Sequence, residues 1–201
     1  MNNPEYVKVD GELYKINTDF RVALECNKIA EDENIGDYER AMAILYKLFG
    51  ERGLDCQNKD KLIELAIKYI SLGEEQKSLK MHPSDTFELD FEKCIGLIKS
   101  SFKFDYGYDP YEKEYIHWYT FYNDLENLSS SEFGTCCALN RVISILNTDA
   151  SKLKGKEATE LKKAQRELME KYCKVKKKEI TAQEKESVAN LYKQLGLWKG
   201  E

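Results

Sequence analysis

Hydrophobic side chains recur at spacings of three and four residues along most of the chain, which is the repeat of a helix with one buried face. Between the turn formers of the first third, this repeat predicts three helices, at residues 19–32, 38–49 and 59–72. Asn17 and Thr18 are placed to cap the first helix and Asp37 the second, because such side chains accept hydrogen bonds from free helical N–H groups. Gly50 and Gly73 follow the second and third helices as stop signals.

The same repeat returns in the second half, where aromatic residues are most frequent. It predicts five more helices, at residues 90–105, 111–125, 132–146, 155–173 and 181–195. Large apolar side chains on one face of these helices should form the core, because burying each contributes about 1.5–3 kcal/mol. The expected core residues are Phe20, Phe91, Ile95, Ile98, Phe102, Trp118, Phe121 and Leu125.

One strand signal precedes the helices. Asp10-Gly11 separates the short apolar runs 6–9 and 13–16, and this dipeptide favours the positive φ angles of a tight hairpin turn. The predicted fold class is therefore all-α, a helical bundle of about seven to eight helices with a short N-terminal β-hairpin. No apolar run approaches the length of a membrane span, so no membrane partner is expected.

Charge divides the chain into two parts. Residues 1–148 hold 17 basic and 27 acidic side chains, a net charge of −10, whereas residues 149–201 hold 14 and 9, a net charge of +5. The predicted organisation is a helical core domain with the hairpin at 1–148 and a basic C-terminal helical extension at 149–201. This polarity would let the extension contact the core itself, a second copy or a separate partner.

A candidate metal-binding pair is Glu114-Tyr115-Ile116-His117, because an E-x-x-H sequence on a helix places a carboxylate and an imidazole on one face. A di-iron bundle site needs two such pairs. The other histidine, His82, has Leu79 at the corresponding position. The pair is therefore interpreted as ordinary helix residues, and no metal or cofactor is expected.

The six cysteines are interpreted as free, buried thiols of a reducing compartment, because they form no C-x-x-C pair. Cys136 or Cys137 could act as a nucleophile with His117, but no third group is placed to orient the histidine. The glycine motifs that bind phosphate and the H-E-x-x-H zinc motif are absent from the sequence. The chain is therefore not expected to be an enzyme.

Lysines cluster near the start of the last predicted helix, at 171, 174 and 176–178. Lysines can neutralise phosphates. A run without arginine in an acidic chain is more typical of a solvated linker, so no nucleic-acid partner is expected.

An ordered set of structural motifs runs through about residues 12–172. In chain order they are Tyr14-Lys15-Ile16-Asn17-Thr18-Asp19-Phe20-Arg21, Phe91-Glu92, Phe102, Tyr106-Gly107-Tyr108-Asp109, His117-Trp118-x-x-Phe121, Leu125, Leu128, Phe133 and Arg141. This order resembles the tail assembly chaperone family of tailed bacteriophages, small proteins encoded between the tail tube and tape measure genes of siphophages and of prophages of Gram-positive bacteria. The chain departs from that family at Trp118-Tyr119, where the family has Trp-Trp, and in its last predicted helix, which extends past the usual end.

The resemblance implies a non-catalytic chaperone that binds the tape measure protein, the tail tube protein or both during tail morphogenesis. It also implies a location in the cytoplasm of the bacterial host during phage assembly and absence from the mature virion. Coating a long, helical, partly apolar tape measure chain requires helical surfaces and many weak contacts. The alternative is a structural or connector protein of the virion tail, which would also lack a catalytic site and would self-associate.

The C-terminal extension supplies the candidate interaction surface, because its two helices carry narrow apolar stripes beside the lysine run. Its residues are Leu161, Leu168, Tyr172, Lys176, Lys177, Lys178, Leu191 and Tyr192. This surface is expected to contact the tape measure protein or a second copy in a homo-oligomer.

Overall fold

The computed structural model describes residues 3–73, 87–129 and 136–174, and within these ranges eight α-helices follow an N-terminal hairpin. The strands are β1 (Tyr6–Val9) and β2 (Glu12–Lys15). The helices are α1 (Phe20–Glu31), α2 (Asp37–Phe49), α3 (Glu51–Leu54), α4 (Lys59–Ile70), α5 (Ile95–Tyr106), α6 (Trp118–Glu126), α7 (Ala138–Asn147) and α8 (Lys156–Tyr172). The predicted mostly helical fold with a hairpin is confirmed, while the predicted helix at 181–195 lies outside the described residues.

The hairpin forms at the predicted turn. Its two strands pair antiparallel, with Val9 opposite Glu12. Asp10 and Gly11 connect them with φ angles of 49° and 93°, the positive values that a two-residue hairpin turn requires. Val9 and Tyr14 are buried, so the hairpin packs on the helices.

Asp19 caps helix α1, and the prediction that Asn17 and Thr18 do so is wrong. The Asp19 carboxylate accepts a hydrogen bond from the backbone N–H two residues later, at 2.8 Å. The Asn17 N–H instead donates to the Leu48 carbonyl oxygen at 2.7 Å. The Thr18 hydroxyl lies 2.6 Å from the Tyr115 hydroxyl. Both residues therefore tie the start of α1 to distant parts of the chain.

Helix α2 includes Asp37 as its first residue, which corrects the prediction that Asp37 caps it. Gly36 occupies the capping position, and its N–H donates to the Glu39 carboxylate at 3.0 Å. The helix ends before Gly50, as predicted.

Helix α6 begins at Trp118 rather than at Tyr111 as predicted. The residues before it pair with the start of α1 as a short antiparallel bridge. The Trp118 N–H donates to the Thr18 carbonyl oxygen at 2.8 Å, and the Phe20 N–H donates to the Ile116 carbonyl oxygen at 3.0 Å. These long-range bonds use backbone groups that a continuous helix would pair internally.

Helix α5 also begins later than predicted, at Ile95 instead of Asp90. The Asp90 carboxylate accepts hydrogen bonds from the N–H groups of Glu92 at 2.9 Å and Lys93 at 3.2 Å, and this holds the chain in a turn. Phe91 therefore does not share the helical register of α5.

An aromatic stack forms the centre of the core. The Phe121 ring stacks on Phe20 at a centroid distance of 4.1 Å, on Phe102 at 5.4 Å and on Trp118 at 6.1 Å. Six of the eight expected core residues are buried: Phe20, Ile98, Phe102, Trp118, Phe121 and Leu125.

The other two expected core residues lie at the edge of the core. Phe91 is partly buried. Ile95 is 37% exposed, which corrects its assignment to the core. Its side chain lies at the first residue of α5 and lines an open groove.

Helix α8 packs along α7 without burying any residue fully. The Gln165 amide joins the two helices by donating to the carbonyl oxygens of Thr148 at 2.7 Å and Ile145 at 3.0 Å. The division into domains at residues 148 and 149 stays a prediction. None of the helices within the described ranges combines the length and the apolar character needed to cross a bilayer.

Candidate interaction groove

An open groove of about 550 Å³ lies between helix α1 and the turn that precedes α5. Its lining comes from four separate parts of the chain: α1, residues 90–95, Tyr111 and Lys174. The large apolar side chains in it are Leu24, Phe91, Ile95 and Tyr111, and the charged ones are Arg21, Glu25, Lys28, Glu31, Asp32, Asp90, Glu92 and Lys174. The groove therefore combines an apolar patch with a charged border.

The sequence of α1 explains how one helix serves both the core and the groove. Phe20, Ala23 and Cys26 are fully buried on its core face. Leu24 and Lys28 follow each other at a spacing of four residues on a neighbouring face, which lines the groove. In the sequence, Leu24 stands beside Ala23 and near Cys26 and is predicted to belong to the buried face of this helix, so sequence reasoning missed this surface.

An ion pair spans the groove between α1 and the turn before α5. The Lys28 ammonium lies 2.6 Å from the Glu92 carboxylate, and these side chains are 68% and 66% exposed. Water and salt screen a pair this exposed, so it stabilises the fold little and an occupant of the groove could displace it easily.

At one end of the groove, Arg21 fixes the segment that carries Tyr111. Its guanidinium donates to the Asp19 carboxylate at 2.9 Å and to a cluster of backbone carbonyl oxygens. The carbonyl partners belong to Pro110 and Tyr111, both at 3.3 Å, to Glu114 at 3.5 Å, and to Lys113. Arginine suits this role because its planar group carries five N–H donors.

Asp109 supports the same segment from the core side. One carboxylate oxygen of Asp109 accepts the Tyr111 N–H at 2.9 Å, and the other lies 3.2 Å from the Lys99 ammonium. Burial alone would raise the pKa of Asp109, but the hydrogen bond from Tyr111 and the charge of Lys99 outweigh it, so its pKa lies below the usual range.

The lowered pKa of Asp109 predicts a pH-dependent contribution to stability. We expect Asp109→Asn to lower the free energy of unfolding by about 1–2 kcal/mol at pH 7. Because the folded-state pKa is depressed, this contribution is present above the unfolded value of about 4 and is lost as pH falls through the folded one. Urea denaturation at pH 7, 5 and 3 should show the difference between the two proteins unchanged from pH 7 to pH 5 and smallest at pH 3. Asn at the exposed Asp55 is the control, and a difference independent of pH would contradict the assignment.

At the other end of the groove, residues 88–90 and 172–174 form what we name the clasp. The Lys174 N–H donates to the Glu88 carbonyl oxygen, and the Asp90 N–H donates to the Tyr172 carbonyl oxygen, both at 2.9 Å. The Lys174 ammonium contacts the carboxylates of Glu31 at 2.6 Å and Glu88 at 2.8 Å. Burial alone would lower the pKa of Lys174, but the two carboxylates outweigh it and raise the pKa. The clasp thus fixes the end of α8 at the border of the groove.

The predicted interaction surface is only partly described. Leu161, Leu168 and Tyr172 are partly buried on α8, and Tyr172 belongs to the clasp. The remaining members, Lys176, Lys177, Lys178, Leu191 and Tyr192, lie outside the described residues. This surface stays a prediction, and the groove is a separate site beside it.

A family model described as "Bacteriophage Gp15 protein" matches residues 1–170. The chain belongs to the bacteriophage Gp15 family. Neither the search of curated proteins nor the search of solved structures found a match. The matched region of this Gp15-family protein contains every residue that lines the groove except Lys174.

His117 of the Gp15-family protein caps helix α6 and is not part of a helical E-x-x-H pair. Its ring Nδ1 accepts the Tyr119 N–H at 3.1 Å. Its Nε2 lies 3.3 Å from the carbonyl oxygen of Pro4. Both ring nitrogens have protein neighbours, so the ring can be buried without leaving a polar atom unpaired. Among the residues that the structure describes, no cluster of side chains suits a metal ion.

The thiols of the Gp15-family protein differ in access. Cys136 is partly exposed, and the other five cysteines are buried. Burial raises the pKa of the Cys26 and Cys94 thiols to about 12. Such thiols carry almost no thiolate at neutral pH and are therefore poor nucleophiles.

Proposed function

We propose that this Gp15-family protein is a non-catalytic tail assembly chaperone that holds an amphipathic helix of the phage tape measure protein in the groove. Binding takes place during tail morphogenesis, in the cytoplasm of the bacterial host. The tail tube protein is the second proposed partner. The observation that carries the proposal is the groove itself, an apolar surface with a charged border inside the region that matches a phage protein family.

The dimensions of the groove suit a helix. Residues from Arg21 in α1 to Asp32, which caps its end, line the groove, and at 1.5 Å per residue this stretch is about 16 Å long. An amphipathic helix presents its apolar anchors at spacings of three, four and seven residues, which places three or four of them within that length. The charged border can then pair with the polar flanks of the helix.

The groove is a better candidate for this contact than the apolar stripe of α8. Leu168 and Tyr172 of that stripe already pack against the core. The exposed side of α8 carries ion pairs between residues four apart, Lys156 with Glu160 and Lys163 with Glu167. Ile95, in contrast, offers an apolar side chain that remains open to a partner.

Ile95→Asp is expected to reduce recovery of the tape measure protein at least about tenfold when the two proteins are co-expressed and purified through a tag on this chain. The new carboxylate would have to be buried against an apolar helix, and the loss of about 1.4 kcal/mol already corresponds to tenfold in affinity. The tape measure gene comes from the same phage genome. A parallel co-expression with the tail tube protein tests the second partner.

Phe104→Asp is the matched control, because Phe104 is 60% exposed on the same helix but does not line the groove. Equal losses in the two variants, or no recovery of either partner with the unmodified chain, would contradict the proposal. Stoichiometric amounts of the chain in purified phage particles would favour the structural or connector protein instead.

A further inference from the structure

We propose that the C-terminal segment of the chain, residues 175–201, docks in the groove through the predicted helix 181–195 and occupies it before a partner binds. This occupant is the chain's own segment rather than a second copy. Three observations support the assignment: where the segment starts, how far it reaches and what chemistry it carries.

The segment starts at the border of the groove. Lys174, the residue before it, itself lines the groove. Its ammonium is fixed between the carboxylates of Glu31 at 2.6 Å and Glu88 at 2.8 Å, and its backbone is held in the clasp. A segment that begins at this point starts beside the surface that carries Ile95 and Leu24, because all three residues line the same groove.

The segment is long enough to fill the groove. Residues 175–180 can span at most about 20 Å when extended. A helix over residues 181–195 would be about 22 Å long, compared with about 16 Å for the stretch of α1 that lines the groove. The linker therefore permits the helix to lie along α1.

The segment also matches the groove in polarity and charge. Val188, Leu191, Tyr192 and Leu195 follow the helical repeat and would share one face. The groove is bordered by five acidic and three basic side chains. Residues 175–201 contain six lysines and four glutamates. The positive charge is concentrated in the linker, where residues 175–180 hold three lysines and one glutamate, whereas residues 181–195 hold two of each. The linker therefore complements the acidic border, and the helix contributes its apolar face.

Docking of the segment would regulate the groove. A tape measure helix and the C-terminal helix would compete for the same apolar surface, so the affinity for the partner would fall with the fraction of chains whose groove is free. This regulatory consequence rests on the proposed function of the groove, whereas the docking itself does not.

Photo-crosslinking of the full-length chain alone tests the docking. With a benzophenone amino acid in place of Tyr192, we expect crosslinks to residues 21–32 or 90–95 within a single chain. The same probe in place of Asn190, on the opposite face of the predicted helix, should give a several-fold lower yield of these crosslinks. Ile95→Asp should reduce the Tyr192 crosslink as well, while Phe104→Asp should leave it unchanged.

Crosslinks that join two chains, that fall elsewhere on the surface or that form equally from both probe positions would overturn the docking. Leu191→Asp then tests the regulation, because release of the segment should increase recovery of the tape measure protein. Intramolecular crosslinks without that increase would disprove the competition and leave the docking intact. Failure of the unmodified chain to bind any partner would count against the proposed function alone.

Discussion

Trp118→Ala should lower the free energy of unfolding by about 3–5 kcal/mol, the range measured for loss of a large aromatic side chain from a core. The indole is fully buried and stacks on Phe121 with an interplanar angle of 21°. Its Nε1–H donates to the Ile70 carbonyl oxygen at 3.2 Å, which joins α6 to the end of α4. The substitution would leave a cavity and deprive that buried carbonyl of its donor.

Urea denaturation followed by far-UV circular dichroism measures this effect. Tyr38→Ala is the control, because Tyr38 is 73% exposed and its loss should change the free energy of unfolding by less than about 0.5 kcal/mol. Trp118→Phe keeps a ring and loses the donor, so it should fall between the two and remain measurable if the alanine variant does not fold. A Trp118→Ala protein as stable as the control would refute the placement of this residue.

Arg21→Met should lower the free energy of unfolding by about 2–3 kcal/mol, the second largest effect expected. The methionine keeps much of the aliphatic volume but removes every donor to the carbonyl cluster of residues 110–114. Hydrogen bonds from charged donors contribute about 1.5–3 kcal/mol each in favourable cases. The loss is smaller here, because the segment is partly exposed and water can donate to its carbonyl oxygens in the variant. Arg21 also lies over the Phe20 ring at 4.8 Å, so the core face of α1 loses a contact.

Arg21→Lys separates charge from geometry. A lysine retains the positive charge, but its compact ammonium cannot reach several separated carbonyl oxygens at once, so it should recover less than half of the loss. Amide hydrogen exchange should show faster exchange at residues 111–117 in both variants. Arg166→Met on the exposed side of α8 serves as the matched control. Full recovery by lysine would mean that charge alone explains the contribution of Arg21.

Local signals predicted the elements whose ends depend on neighbouring residues. The hairpin formed at Asp10-Gly11, α2 ended before Gly50, and α8 followed its apolar stripe. In each case the deciding interactions join residues a few positions apart, such as a turn with positive φ or a helical hydrogen bond.

Long-range contacts decided the start of α6, which was predicted at Tyr111. Tyr111 and its neighbours look helical in sequence, yet Arg21 binds their carbonyl oxygens and the start of α1 pairs with Ile116. These partners are about ninety residues away along the chain. The spacing of apolar residues cannot predict such bonds, because it indicates only which side chains share one face of a helix.

The groove could not be predicted for a related reason. Its lining combines one face of α1 with a turn, a single tyrosine and the end of α8. Ile95 was expected in the core because it lies four residues after Phe91, and only the turn at Asp90 shows that this spacing is not helical. The division of charge along the chain is visible in the sequence, where the first 148 residues are acidic and the rest are basic. The contact that we propose joins these two parts, the groove and the C-terminal segment.

Because five of the six thiols are buried, the rate at which each one is alkylated reports how often the structure around it opens. Cys136 is partly exposed and should react first, whereas Cys26 is buried on the core face of α1 and Cys173 is buried within the clasp. A reagent that modifies Cys173 while sparing Cys26 therefore reports release of the end of α8 from an otherwise folded chain. Modification of Cys26 requires opening of the core. One time course, resolved by peptide mass, thus separates the two events without altering any residue.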